Sequence, residues 1–309
     1  MLWLIVTLIS YFILAIVYLI DRYLLTSQNR IPSPQLYTFY VGLLATVIVV
    51  IAPFIHFYIP PLSHLLLSLV AGAFFTISLL FFYKGLNLFE ASRIIPAEGA
   101  LIPIFSFLLI NLFSGGQEKM SSFALYSFIL LLFGTFLITY EKEKKITWKS
   151  FQIATLVAFF CSLSFVLSKY VYLKQPFLNA LIWIKLGGAL PSLALLIFSK
   201  EVRKGLKETF NKNNLSSSKK TLAIFVSNQI SGGIAGLLQQ WAFSLAPLIY
   251  LPIINALQGV QYLFLLIFVV LLSWRLPNIL KETVTRSVLL QKIIAIILIG
   301  VGLALLALK

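Results

Sequence analysis

Two ionisable residues stand inside apolar stretches of this sequence, where charge is costly. Glu98 lies in PAEGAL, residues 96–101, and Lys185 lies in LIWIKLGGALP, residues 181–191. A charged side chain at the centre of a membrane helix costs about 2.5–3.5 kcal/mol on insertion scales, so such residues face the bundle interior and mark ion or substrate pathways. Loss of hydration favours the protonated form of a carboxyl group. Glu98 is therefore expected to be paired or protonated, and it is a candidate proton carrier.

Lys185 is the nearest candidate partner for Glu98. Counting residues from the start of each apolar stretch leaves roughly 10 Å between their depths in the membrane, a gap that a long lysine side chain could largely close. An ion pair between them is one interpretation. The alternatives for Lys185 are that it binds an anionic group of a substrate, or that its ammonium extends toward the outer interface.

Amide side chains follow one face of two neighbouring apolar stretches, residues 221–245 and 248–273. Spacings of three and four residues keep each set on one helix face. Single amides tie membrane helices together, but a concentration of them in two adjacent stretches exceeds that need. We therefore predict a hydrated substrate-binding cavity lined by Asn228, Gly232, Gly236, Gln240, Asn255, Gln258 and Tyr262, with Gln239 and Gln261 beside them.

Composition indicates the class of protein that carries these residues. Hydrophobic residues make up 60% of the sequence and charged residues 11%, whereas soluble domains average roughly 45–50% and 25%. A helix of about 20 residues crosses a hydrocarbon core of about 30 Å. Ten stretches of that order are present, at residues 2–20, 36–55, 64–86, 91–112, 122–140, 151–172, 178–198, 221–245, 248–273 and 289–308. The sequence therefore predicts an all-α integral membrane protein with ten transmembrane helices.

Lys and Arg residues are unevenly distributed between the two sets of loops. Loops after odd-numbered stretches carry nineteen of them, and loops after even-numbered stretches carry three, Lys119, Lys169 and Lys174. Because basic residues accumulate in cytoplasmic loops, this bias predicts a multi-pass protein of the cell membrane with both termini outside. It also accounts for the net charge of +15 without any nucleic acid partner. The basic segment SKEVRKGLKETFNKNNLSSSKK is expected to lie against an anionic leaflet.

The two halves of the sequence align after a shift of 156 residues. PAEGAL then lies on PIINAL, residues 252–257, and Pro96 matches Pro252. Two helix faces with four-residue spacing also align, Gly72, Thr76, Leu80 and Lys84 in the first half with Asn228, Gly232, Gly236 and Gln240 in the second. A proline inside a helix removes a hydrogen bond and clashes with the carbonyl four residues earlier. Both prolines are candidate helix breaks that free polar backbone in the membrane, and the alternative for each is a packing kink.

Each half holds five predicted spans, so the halves must cross the membrane in opposite directions. We place the first repeat at residues 1–141 and the second at residues 150–309, joined by the charged linker EKEKKITWK. Inverted repeats with interrupted helices near the membrane midplane are typical of secondary transporters. This architecture sets the carboxylate of the first half and the amides of the second half across one cavity.

With two predicted five-helix repeats, the sequence resembles the ten-helix, EamA-type branch of the drug/metabolite transporter superfamily. The resemblance covers essentially the whole chain. It rests on the five-plus-five layout, on NLFEASRIIPAEGALIPIF ahead of LFSGGQEKMSSF, and on SLAPLIYLPIINALQGVQ followed by the final LIGVGLALLAL. It implies two five-helix repeats, a transport function, a proline in the fourth or ninth helix, and a glutamate after that helix, for which Glu118 and Glu282 are the matches.

Two features depart from the pattern of that family. The first helix, LISYFILAIVYLIDRY, lacks the usual Trp-Gly pair, so substrate preferences tied to that pair do not carry over. Family members usually have cytoplasmic termini, whereas the distribution of Lys and Arg here predicts the reverse.

These observations together predict a secondary transporter, an exporter or exchanger, for a small polar metabolite that is amino-acid-like or drug-like. It is expected to work by alternating access with proton coupling through Glu98. No phosphate-binding loop is present, so ATP is not the direct energy source. The alternative is a flippase for a lipid-linked sugar or another amphiphile. A membrane-embedded transferase is disfavoured, because Asp21, Glu118 and Glu282 stand singly instead of forming a catalytic constellation.

No cofactor and no metal ion are expected. Cys161 is the sole cysteine, and His56 and His64 flank a proline pair without nearby carboxylates, which makes a poor metal site. The expected partners are the small-molecule substrate, protons and the lipid bilayer. Because one transporter scaffold serves many solutes, the sequence leaves the substrate, the direction, the coupling ion and the oligomeric state open.

Overall fold

A computed structural model describes residues 2–26, 33–89, 91–140, 147–211, 219–275 and 286–307. Every regular element in these ranges is a helix. Residues 141–146 of the predicted linker and Glu282 lie outside the described residues.

Five helices form the first half of the chain, and the second of them continues as a 3₁₀ segment at Ala45–Phe54. They are α1 (Leu2–Thr26), α2 (Pro34–Leu44), α3 (Leu62–Leu88), α4 (Ala91–Phe113) and α5 (Ser122–Thr139). The second half contains α6 (Trp148–Tyr172), α7 (Phe177–Phe198), α8 (Lys200–Asn211), α9 (Lys219–Leu245), a 3₁₀ turn (Leu248–Tyr250), α10 (Leu251–Ala256), α11 (Gln258–Arg275) and α12 (Arg286–Ala307).

Hydroxyl side chains fix the starts of several helices. Ser33 accepts a hydrogen bond from the Leu36 amide ahead of α2, and Ser121 accepts one from the Ala124 amide ahead of α5. Thr147 begins α6 with a reciprocal capping arrangement. Each cap satisfies an amide that lacks a partner within the helix. The turn after α4 bends through Gly115 and Gly116, whose φ angles of 60° and 76° favour glycine.

Seven helical stretches are long and apolar enough to cross a membrane by length and composition. They are Leu2–Ile20, Pro34–Phe54, Leu62–Gly85, Trp148–Tyr172, Phe177–Phe198, Leu248–Phe268 and Leu290–Ala307. The protein is therefore an all-α, multi-pass membrane protein. The three remaining predicted stretches are also helical, in α4, α5 and α9, and the first two contain shorter apolar helices at Ala97–Phe113 and Ser122–Ile138.

The helices enclose two buried apolar clusters. One joins α3, α4, α6, α7, α9 and α10 through residues such as Ile184, Phe165 and Phe243. The other joins α1, α5, α10, α11 and α12 through residues such as Leu131 and Ile299. The two clusters meet at α10, whose six residues are all buried.

Helices α3 and α7 approach each other closely because glycines stand at their contact. A Cβ on Gly72 would overlap the Ile184 carbonyl oxygen, and a Cβ on Gly187 would overlap the backbone of Leu69. Thr76 adds a hydrogen bond from its hydroxyl to the Gly188 carbonyl, at 2.8 Å. Small residues permit such close backbone approach in membrane helices.

The basic segment after α7 contains a helix that the sequence analysis did not predict, α8. Its buried Val202 packs with Leu206 against Leu36 and Phe39 of α2, and Gly205 lies against Leu36. Val202 and Leu206 are four residues apart, which places them on one face of a helix whose other positions are mostly polar. The helix is amphipathic and docks on the end of the bundle where α2 begins.

Candidate functional site

Glu98 lies within α4 and is enclosed by neighbouring helices, yet it is only half-buried. Its neighbour Gly99 makes room for Tyr262 of α11, whose hydroxyl oxygen would lie 3.4 Å from a Cβ at Gly99. Cys161 of α6 and Tyr262 are near enough to Glu98 to interact with it electrostatically. Among the described residues, the Glu98 carboxyl has no ion-pair or hydrogen-bond partner. No side chain of the described chain therefore neutralises the carboxyl through a direct contact.

Lys185 lies within α7, is likewise enclosed by helices, and is half-buried. Its Nζ lies 5.6 Å from the ring centroid of Phe75 on α3, a distance at which a cation is attracted to the ring face. The side chain lines a cavity of about 30 Å³ between α2, α3, α6, α7 and α9, together with Thr76, Ser164 and Gln240.

Glu98 and Lys185 are not brought together. In the parts of the chain that the structure describes, no ion pair joins them, and no charge–charge interaction between them is resolved. Lys185 lines a cavity of which Glu98 is not a lining residue.

Gln240 and Asn228 of α9 are buried and bind neighbouring helices. Gln240 Oε1 accepts a hydrogen bond from the Tyr172 hydroxyl of α6, at 2.9 Å. Asn228 Nδ2 donates to the Val17 carbonyl of α1, at 3.4 Å. Gln240 also lines the cavity of Lys185, whereas the hydrogen bond of Asn228 joins α9 to α1.

Asn255 of α10 and two residues of α11 form short local contacts. Asn255 Nδ2 donates to the Ser106 hydroxyl of α4 at 2.8 Å, while the buried Asn255 Oδ1 has no hydrogen-bond partner among the described residues. Gln258 Nε2 donates to the Tyr262 hydroxyl at 3.2 Å. Asn255 thus joins the two halves of the chain, and Tyr262 is oriented by its own helix.

Gly232 and Gly236 of α9 lie on the face that Gln240 shares, and Gly233 lies beside them. Only Val17 lies near a Cβ built on Gly232, and no atom lies within 4 Å of one built on Gly233 or Gly236. The hydrogen bond from Gln229 Nε2 to the Tyr37 hydroxyl, at 3.2 Å, links α9 to α2. No other helix therefore packs closely on α9 at Gly233 and Gly236.

The two predicted helix breaks lie in different settings. Helix α4 runs from Ala91 to Phe113 through position 96. Pro252 is in the first turn of α10, where a proline needs no amide hydrogen. The regular α-helix of the ninth stretch is interrupted on either side of α10, by the 3₁₀ turn Leu248–Tyr250 and at Leu257.

Lys169 is a polar residue that the sequence analysis assigned to an outer loop, and the structure places it inside α6. Its exposed fraction is 2%, and its Nζ donates to the Ser244 carbonyl near the end of α9, at 3.1 Å. The sequence offered a signal, because position 169 falls within the predicted sixth stretch. Glu118, the glutamate implied by the family resemblance, lies in the turn before α5 and interacts electrostatically with Tyr170.

Comparison with known proteins identifies the fold but no family. The sequence matches no family model and no curated protein. Twenty-seven chains of solved structures match the fold. One of them, described as "Crystal structure of protein", superposes with a TM-score of 0.66 at 14% identity, covering 99% of this chain and 96% of that chain. The fold therefore extends over the whole length of both proteins.

Proposed function

We propose that this protein is a secondary transporter, an exporter or exchanger, for a small polar metabolite. One observation carries the proposal: Glu98 and Lys185 lie deep among apolar helices, remain half-buried, and do not neutralise each other. Isolated charges in a membrane interior are costly, and a purely structural bundle has no need of them. A solute or proton pathway accounts for both groups, and Lys185 lines a cavity that can hold a small polar group.

The architecture that supports this function is ten membrane helices in two inverted repeats. In this arrangement α1 corresponds to α6, α2 to α7 and α3 to α9. Helix α4 corresponds to α10 together with α11, and α5 corresponds to α12. If the repeats are equivalent, replacing both helices of a packed pair by their counterparts should give another packed pair. The pair α1 with α9 becomes α6 with α3, and the pair α4 with α6 becomes α11 with α1, and all four pairs are in contact. Three further packed pairs each consist of a helix and its own counterpart in the other repeat: α5 with α12, α4 with α10 and α2 with α7. These equivalences support, in addition, the resemblance to EamA-type transporters.

Alternating access is supported by an asymmetry between the two halves. Helices α3 and α7 are in close contact through Gly72 and Gly187, whereas no neighbouring atom lies within 4 Å of a Cβ built on Gly233 or Gly236 of α9, the helix that corresponds to α3. A close helix contact in one repeat and a looser one in the other fit one end state of an alternating-access transporter.

The first experiment is a thermal-shift screen of the purified protein against amino acids, other small metabolites and amphipathic drugs. A ligand that binds the folded state raises the Tm by mass action. Hits are then tested for counterflow in proteoliposomes, with protein-free vesicles and the Tyr126→Phe variant as controls. Tyr126 is an exposed residue of α5, so its substitution should leave counterflow unchanged.

Counterflow of at least one soluble hit supports the transporter. Absence of counterflow for every soluble compound, together with translocation of a fluorescent lipid-linked sugar across the same vesicles, would replace it with the flippase. If neither activity is measured in vesicles that contain folded protein, the transport function itself is rejected.

A further inference from the structure

The cavity beside Lys185 is mostly apolar, and its few polar side chains include hydrogen-bond donors but no acidic group. Its lining includes Lys185, Gln240, Ser164 and Thr76, with no Asp or Glu among the lining residues. Within the described chain, the Lys185 ammonium has no ion pair and no hydrogen bond, and it lies over the Phe75 ring. A positive charge in this setting calls for an anionic partner, and the described residues supply none.

Gln240 is oriented so that its amide nitrogen is the available polar group. The Tyr172 hydroxyl donates to Gln240 Oε1 at 2.9 Å, which occupies the acceptor end of the side chain. Gln240 is 6% exposed, and its NH₂ group has no hydrogen-bond partner among the residues described. Because an amide nitrogen only donates, Gln240 presents donors to the cavity.

Ser164 and Thr76 complete the polar lining in different ways. Ser164 is 1% exposed, and no described residue forms a hydrogen bond with its hydroxyl. The Thr76 hydroxyl already donates to the Gly188 carbonyl. Donors that lack protein acceptors are thus supplied by three side chains on three helices, Lys185 on α7, Gln240 on α9 and Ser164 on α6.

The size of the cavity limits the group that fits. A buried water needs roughly 10–15 Å³ of such space, so a cavity of about 30 Å³ holds about two water-sized atoms. A carboxylate fits a cavity of this size, and its two oxygens match the donors that line it. Carboxylates also form strong charge-assisted hydrogen bonds with an ammonium and with amide donors.

We propose that this cavity binds the carboxylate of the transported solute, with Lys185 as counter-charge and Gln240 as a second donor positioned by Tyr172. The proposal rests on the proposed transport function and narrows its substrate class to organic acids, including amino acids. Glu98 lies outside this cavity and is free to bind a proton or a substrate amine.

The test compares matched acids and amides on the purified full-length protein. The probes are three- to six-carbon hydroxy, keto and amino acids and the corresponding primary amides, measured by thermal shift and by counterflow in proteoliposomes. We expect an acid to raise the Tm and its amide to have no effect. The variant Lys185→Met should weaken the binding of that acid by about 10- to 100-fold, the range for a hydrogen bond to a charged group.

Two further variants keep the result interpretable if Lys185→Met folds poorly. Gln240→Glu has nearly the same shape but adds a negative charge, so it should abolish acid binding while leaving the thermal transition intact. Lys174→Met, at an exposed position after α6, is the matched control and should bind the acid as the unmodified protein does.

The outcomes separate the two proposals. Unchanged acid binding in Lys185→Met or Gln240→Glu overturns the carboxylate site. Counterflow of amines with no response to acids, lost in Glu98→Gln, also overturns it but leaves a transporter. Absence of counterflow for acids, amines and uncharged solutes alike rejects the proposed function instead.

Discussion

Tyr172 donates its hydroxyl hydrogen to Gln240 Oε1 across 2.9 Å, joining α6 to α9 inside the bundle. Three residues earlier on α6, the buried Lys169 donates to the Ser244 carbonyl of the same partner helix, at 3.1 Å. The two contacts lie near the ends of both helices, so they hold these ends together on the side where α3 and α7 are also in close contact. The first contact also sets the orientation of an amide in the cavity of Lys185.

Substitution Tyr172→Phe tests the first contact. It removes the donor and leaves a buried amide oxygen without a partner, which costs about 1–3 kcal/mol. We expect the free energy of unfolding, measured by denaturation in mixed micelles, to fall by that amount. The control Tyr126→Phe removes a hydroxyl from an exposed residue of α5 and should have no effect. Equal stability of both variants would show that the hydrogen bond contributes nothing.

Substitution Gly72→Ala tests the close contact of α3 and α7. The added methyl group would overlap the Ile184 carbonyl oxygen, so the helices must separate. Overpacking of this kind typically costs about 1–3 kcal/mol, and we expect a lower Tm. Gly236→Ala is the matched control, because no atom lies within 4 Å of its added methyl. A Gly72→Ala protein with unchanged Tm would contradict the packing described here.

The helical stretches were predictable because membrane spans need a continuous apolar length. The third stretch, predicted at residues 64–86, is observed at Leu62–Leu88, and the sixth, predicted at 151–172, at Trp148–Tyr172. Hydropathy says little about short amphipathic elements, which explains why α8 was missed within a basic segment. The sequence signal for α8 is the helical spacing of Val202 and Leu206, which places them on one face, and not a continuous apolar stretch.

The partners of the site residues could not be predicted, because they depend on how helices rotate and pack. Depth alone left an ion pair between Glu98 and Lys185 open, yet the structure places them apart. Asn255 binds Ser106, a residue of the other half of the chain, and no spacing within either half indicates that contact. Asn228 and Gln240, which a four-residue spacing places on one helix face, are both buried in α9, and their part in a substrate cavity stays a prediction.

A double-mutant cycle tests the contact between the two halves. Ser106→Ala and Asn255→Ala each remove one partner of a buried hydrogen bond of 2.8 Å. Interhelical hydrogen bonds in membranes average about 0.6 kcal/mol and reach about 1.7 kcal/mol in such cycles, and we expect a coupling free energy in the upper part of that range. The measurement is the free energy of unfolding of the four proteins. If the effects of the two single substitutions on the free energy of unfolding simply add in the double variant, the contact does not stabilise the pairing of α4 with α10.

Cysteine labelling tests the proposed orientation. The single native cysteine, Cys161, is buried and gives little background. Lys119→Cys and Lys149→Cys place exposed thiols on opposite sides of α5. If both termini are outside, a membrane-impermeant maleimide should label position 119 on intact cells and position 149 only after permeabilisation. The reverse pattern would place the termini in the cytoplasm.

Glu98→Gln tests whether the half-buried carboxyl carries a proton. The amide has nearly the same shape but cannot exchange a proton, so a coupled transporter should lose accumulation driven by a pH gradient and keep substrate exchange, which needs no net proton movement. The measurement is uptake of a counterflow-competent solute into proteoliposomes with and without an imposed gradient. Glu201→Gln, at an exposed position of α8, should retain both activities. If the gradient still drives accumulation in Glu98→Gln, the proton passes through another group, and Glu98 acts in substrate binding or in packing.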